Sequence, residues 1–183
     1  ICASADFINS LIDVTNGTAM LLGPVLEPLR ASSIHKNLFT LPVRMKKHSE
    51  NAMYIAKKFK EAGLKVNYTG LPGNRGHEEM KRQMNEEFGF GGMISIDLET
   101  TEKASKFMSC MQEEGVGYLA VSLGYFRTLF SNSGTSTSSE VPEHIQKEMG
   151  LSEGLVRYSV GLDFDIEATY QKIEKCMKKL DLI

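Results

Sequence analysis

The chain has 183 residues, 42% of them hydrophobic and 24% charged, with a formal net charge of -2. That is room for one substantial core, or one domain with an appendage, in an ordinary soluble composition. The near-neutral balance gives no global pull toward nucleic acid or an anionic membrane, and no apolar run is long enough to span a bilayer.

The cysteines Cys2, Cys110 and Cys176 are odd in number and far apart. With no CxxC pair and no Cys/His cluster they make neither a disulfide framework nor a zinc site, so no metal is expected. With ten methionines, this composition points to a reducing compartment, the cytoplasm. The opening "ICASADFINS" lacks the basic and apolar blocks of a secretory signal. It begins without Met and already in a helical pattern, so the chain is expected to be processed or to be a piece of something longer.

Taken in order, the first third reads as helical. Phe7, Leu11 and Ile12 share one side of a helix behind a cap at Ser4. After "GPVLEP" comes a long segment that Pro42 either kinks or restarts. In its last part Ala52, Ile55, Ala56 and Phe59 recur at helical spacing, and Gly63 fits the left-handed residue that ends a helix. The pattern then changes. "LKVNYTG" reads as a strand, "HEEMKRQMNEE" as a polar helix and "GGMISIDLE" as a strong strand. "TTEKASKFMSCMQEEG" is an amphipathic helix capped by Thr100 or Thr101, with Ala104, Phe107, Met108 and Met111 inward. "VGYLAVSLG" is a third strand, "GTSTSS" a small polar loop, "PEHIQKEMG" a short helix and "LVRYSVG" a fourth strand. The last helix sets Ile166, Tyr170, Ile173, Met177 and Leu180 on one face, with lysines toward its C-terminal end, where the helix dipole favours them. Four strands alternating with helices, behind a helical segment, predict an α/β two-layer sandwich.

The side chains that could do chemistry are few. His35, His48, His77 and His144 are scattered, with neither metal-ligand nor nucleophile spacing, and read as structural or surface residues. "GFGGM" leads into a strand instead of a helix N-terminus, so it reads as a turn and not a phosphate loop. Cys110 sits among apolar neighbours, as an inert core thiol does. Arg157 is different. It lies mid-strand on one face with Leu155 and Ser159, and a guanidinium cannot shed its charge when covered. Two readings stay open from spacing alone: an outward arginine on an edge strand, or a fork that meets a carboxylate. Ser122 and Gly124 follow the apolar "YLAV" at a strand's C-terminal end. There α/β folds place ligand contacts, although an ordinary strand-to-helix turn fits equally well.

"AVSLGYFRTL" followed by "SEGLVRYSVGLD" resembles the C-terminal part of the Cys/Met-metabolism (trans-sulfuration) family of enzymes dependent on pyridoxal phosphate (PLP). "RMKKHSENA", "GGMISIDL", "GLP" at Gly70 to Pro72 and the closing amphipathic helix also fit, so the likeness runs along the whole chain. It is greatest to the methionine-cleaving members. Where many members carry Met-Thr-His, this chain has Ser136, Thr137 and Ser138, which leaves the substrate open among the family's lyase, synthase and sulfhydrylase activities. The resemblance implies a fold-type-I C-terminal domain at 63–183, with a mostly antiparallel sheet and helices on one face. Residues 1–62 would be a helical segment linking to a large PLP domain absent from this chain. It implies that Arg157 holds the substrate α-carboxylate, that Ser122 helps there, and that Thr137 braces the arginine. It further implies a sulfur amino acid as substrate, PLP as cofactor, and a homo-oligomer, a dimer of dimers in full-length form. The cofactor lysine, the pyridine-nitrogen aspartate and the phosphate cup belong to the large domain, so no catalytic and no cofactor-binding residue is expected in this chain, which alone is expected to be inactive. A freestanding non-catalytic module that binds carboxylates or partners is the reading of a different class.

Overall fold

The computed structural model describes residues 3–133, 141–148 and 152–183, and the chain divides into two compact units, Ile1–Leu41 and Pro42–Ile183. The first unit holds three short helices. In α1 (Ala5–Ile12) the Ser4 hydroxyl accepts from the Phe7 N–H at 3.3 Å, the cap expected from the sequence. α2 (Thr18–Leu22) ends at Gly23 in the left-handed region. In α3 (Pro28–Leu38) the Glu27 carboxylate accepts from the N–H groups of Leu29 and Arg30. None of the three buries a residue: Leu22 of α2 is 77% exposed and Leu29 of α3 79%.

α4 (Leu41–Glu61) has Pro42 in its first turn, where a missing N–H has no intrahelical partner to lose. Pro42 therefore belongs to the start of a new helix. Further along, α4 buries Ala52, Ile55, Ala56 and Phe59 and closes on Gly63 at φ +84°. There the Leu64 N–H reaches back to the Phe59 carbonyl at 3.0 Å. The boundary expected at 62/63 marks the end of this helix. The two compact units divide between Leu41 and Pro42, and the buried face of α4 shares a core with the strands.

The sheet has five strands, one more than the sequence predicts: β1 (Lys65–Asn67), β2 (Met93–Asp97), β3 (Gly117–Leu119), β4 (Thr128–Asn132) and β5 (Leu155–Ser159). Their order is β1-β2-β5-β4-β3. All neighbours are antiparallel except β3 and β4, which are parallel. The segment after Leu119 leads to a strand and not to a helix, and "YLAV" contributes only Tyr118 and Leu119 to β3. A parallel return normally needs a dozen residues or more. Here β3 is three residues long, about 10 Å of strand, so residues 120–127 suffice.

The remaining helices are α5 (His77–Gln83), α6 (Thr101–Glu113), α7 (Glu143–Glu148) and α8 (Ile166–Lys179). The Thr100 hydroxyl caps α6 by accepting from the Lys103 N–H at 3.3 Å, and α8 buries Tyr170, Ile173, Cys176 and Met177. Apolar side chains of α4, α6 and α8 form one cluster with Ile94 and Ile96 of β2, Phe130 of β4 and Val156 and Tyr158 of β5. The alternate residues of β5, Leu155, Arg157 and Ser159, lie on the opposite face of the sheet. Phe59 is fully buried, with its ring edge-on to Tyr158 at 5.7 Å. Phe59→Ala is expected to lower stability by about 3–5 kcal/mol through lost burial and a residual cavity. Phe7→Ala, at a side chain 54% exposed, is expected to change it by less than about 0.5 kcal/mol. Urea denaturation of the two variants checks the contrast.

Candidate functional site

Arg157 sits on β5, the central strand of the sheet. The edge-strand reading left open by its spacing therefore does not apply. Register sets its neighbours: Ser95 of β2 on one side and Ser131 of β4 on the other, with Asn67 of β1 beyond Ser95. Residues paired across strands share a face, so a polar row with one permanent charge crosses four strands of the face opposite the helices.

Among the described residues the guanidinium makes one hydrogen bond: Nη2 donates to the Val121 carbonyl at 2.7 Å. Among the described residues no carboxylate pairs with it within ion-pair distance. Ser122 follows the gripped carbonyl directly, so the structure brings the 120–127 loop and Arg157 together. The loop has a second anchor. The Gly124 N–H donates to the Ser159 hydroxyl at 3.1 Å, with Gly124 at φ +65°, where a glycine costs least. Leu129 of β4 is buried on the same side of the sheet as Ser131 and Arg157. Thr137, the third expected site residue, lies outside the described residues, as do Ser136 and Ser138.

The end of β5 is gripped from α4. The Nδ1–H of His48 donates to the Val160 carbonyl at 2.6 Å, and Asn51 Nδ2 donates to the carbonyls of Gly161 and Asp163, each at 3.0 Å. Two sequence motifs far apart in the chain, "RMKKHSENA" and "LVRYSVG", thus meet. Gly161 is required by closeness: a Cβ there would fall 2.6 Å from the Thr128 nitrogen. Its N–H donates to the Thr128 hydroxyl at 2.9 Å. Burial, above all, raises the Asp163 carboxyl above the usual range, against the lowering pull of Arg127 and the Thr128 hydroxyl.

A depression of about 240 Å³ adjoins Arg157, lined also by Asn67, Thr69, Arg75 and Ser95. A larger groove of about 690 Å³ lies elsewhere, between α4 and residues 84–90, over Met53, Tyr68 and Phe88. The residues lining it include neither Arg157 nor Ser122. Burial pushes the Cys176 thiol up to about 12, helped by its hydrogen bond with Cys110. It stays protonated, as an inert core thiol does.

Residues 4–178 match the model of the Cys/Met metabolism PLP-dependent enzyme family. The chain belongs to that family. It is 38% identical over 181 residues to methionine gamma-lyase of Arabidopsis thaliana, covering 98% of this chain and 41% of that protein. It is 35% identical over 162 residues to a cystathionine beta-lyase of Lactococcus lactis, covering 86% of this chain and 40% of that protein. Among solved structures, cystathionine gamma synthase of Xanthomonas oryzae in complex with cystathionine superposes with a TM-score of 0.82 at 26% identity, over 100% of this chain and 45% of that one. A putative O-acetylhomoserine (thiol)-lyase of Campylobacter jejuni, carrying a pyridoxyl-lysine phosphate, does so with a TM-score of 0.82 at 25% identity, over 97% of this chain and 41% of that one. The chain thus spans about two fifths of the length of the curated relatives it matches.

The family depends on PLP. A lysine that carries such a cofactor works from a desolvated or electrostatically tuned seat. Among the described lysines none is buried, and the residues lining the depression at Arg157 include no lysine. The described residues also include no group of three His, Cys, Asp or Glu that could hold a metal, and no helix long and apolar enough to cross a membrane.

Sequence reading missed Ser95 and Ser131. The alternation of "MISID" could have faced Ser95 away from the core, but only the strand order sets Ser95 and Ser131 beside Arg157. Ser159 carries the loop's second anchor, so Ser159→Ala is expected to speed amide hydrogen exchange at Gly124 by about 5–10-fold, the worth of one hydrogen bond. Exchange in the core of α6 should stay unchanged; an unaltered Gly124 would show that the Ser159 bond does not hold the loop.

Proposed function

We propose that this chain is the substrate-holding C-terminal part of a PLP-dependent carbon–sulfur lyase acting on L-methionine. Arg157 would clamp the substrate α-carboxylate, with Ser122 and Thr137 assisting. One observation carries the reading: a permanent charge on the central strand, with only a neutral carbonyl as its partner among the described residues. A carboxylate matches the guanidinium fork in charge and in planar geometry.

The proposed reaction converts methionine and water to methanethiol, 2-oxobutanoate and ammonia, breaking the Cγ–S bond. PLP, when bound, supplies the electron sink for the bonds broken at Cα and Cβ. The contribution of these residues is positional. A carboxylate held at Arg157 and flanked by the 120–127 loop fixes how the rest of the amino acid points, and a fixed orientation lowers the entropic part of the barrier. No described residue is assigned a proton transfer.

The 38% identity to a methionine gamma-lyase supports methionine as substrate; the cystathionine beta-lyase likeness favours cystathionine as the second reading. The exposed apolar side chains of α1–α3 support assembly as a homo-oligomer, with a dimer of dimers as the expected form. The unpaired thiols Cys110 and Cys176 support a reducing, cytoplasmic setting.

In the full-length enzyme loaded with PLP, Arg157→Gln is expected to raise KM for L-methionine about 100-fold or more, the loss of a charge-assisted bidentate contact. The wild type should release methanethiol from methionine in preference to cleaving cystathionine. An unchanged KM in Arg157→Gln would overturn the clamp. Cystathionine cleavage without methanethiol would move the substrate to the second reading.

A further inference from the structure

Arg157 leans sideways. Its Nη2 donates to the Val121 carbonyl, in the loop that follows β3 and curls back over β4, so the guanidinium points to the β4 side of its strand. On that side Ser131 is its registered partner on β4 and shares its face. Ser131 is 5% exposed, and its Oγ is buried with no hydrogen-bond partner among the described residues. Buried hydroxyls are nearly always satisfied, so a stranded one next to a binding arginine calls for a cause. Small size at position 131 leaves room beside the arginine, but glycine or alanine would leave the same room without an unused donor.

We infer that Ser131 is a further substrate-binding residue, whose O–H donates to the same carboxylate that Arg157 holds. The inference rests on the reading of Arg157 as the carboxylate clamp. A carboxylate offers about four acceptor positions on two oxygens, more than one guanidinium edge fills. A hydroxyl beside the arginine stem reaches one of those left over, and an O–H bond to a charged oxygen is roughly twice as strong as a neutral one. Because the Ser131 hydroxyl has no partner among the described residues, binding breaks no hydrogen bond to them. Ser95, the partner on the other side of Arg157, lies away from the direction in which the guanidinium leans, so the two serines are not equivalent.

The test uses the PLP-loaded full-length enzyme and butyrate, an unreactive carboxylate, with the dissociation constant read calorimetrically. Ser131→Ala is expected to weaken butyrate about tenfold while leaving the thermal midpoint unchanged or higher, since a stranded buried hydroxyl is gone. Ser131→Cys keeps the shape but only a weak donor, so it should weaken butyrate similarly. Unchanged affinity in Ser131→Ala, or full affinity in Ser131→Cys, would overturn the inference. Arg157→Gln separates it from the reading beneath it. Lost butyrate binding in that variant keeps the clamp whatever Ser131 shows, and unaltered binding there overturns both.

Discussion

A guanidinium cannot shed its proton under any condition in which this chain is folded, so wherever Arg157 sits a positive charge sits too. The sheet places that charge on its middle strand, between two serines, with a single backbone carbonyl to receive it among the described residues. Most of what is particular to this structure follows from holding that arrangement in place. The flanking positions are small and uncharged, the 120–127 loop curls over β4 to present the Val121 carbonyl, and Ser159 ties the loop down a second time through Gly124.

The helices serve the same end from the far face. α4 carries the core residues Ala52, Ile55 and Phe59, and beside them the polar pair His48 and Asn51 grips the carbonyls of Val160, Gly161 and Asp163 after β5. A shift of β5 along its neighbours by one residue would break those bonds and turn Arg157 into the core, among Phe59 and Phe130. Register, core and charge placement are therefore one constraint. Gly161 enters for the same reason: the segment leaving β5 passes so near the start of β4 that no side chain fits.

Much of this was legible before the fold. The helical periodicity of α4, α6 and α8, the caps at Ser4 and Thr100, and the left-handed stop at Gly63 are local, and local patterns survive into the structure. β4 was not legible. All five of its residues are buried, among them the polar Thr128, Ser131 and Asn132, so the strand shows no alternation of polar and apolar positions. It also follows "GYFR" without a clear turn signal. The standing of Arg157 was undecided for a related reason. Whether β5 lies at an edge or in the middle depends on pairing with residues some 25 and 60 positions away, which periodicity along one strand does not encode. Strand position drew out Arg157 and Ser122 and the family likeness implied a carboxylate for them, while the serines that flank the arginine came only from the strand order.

The central claim is that the charge on the middle strand exists to hold an amino-acid carboxylate. A crystal structure of the PLP-loaded full-length enzyme with an unreactive amino-acid analogue measures this directly. The account predicts the analogue's α-carboxylate at about 2.7–2.9 Å from the Arg157 guanidinium nitrogens. A carboxylate bound elsewhere, with Arg157 still turned only to the Val121 carbonyl, would contradict it.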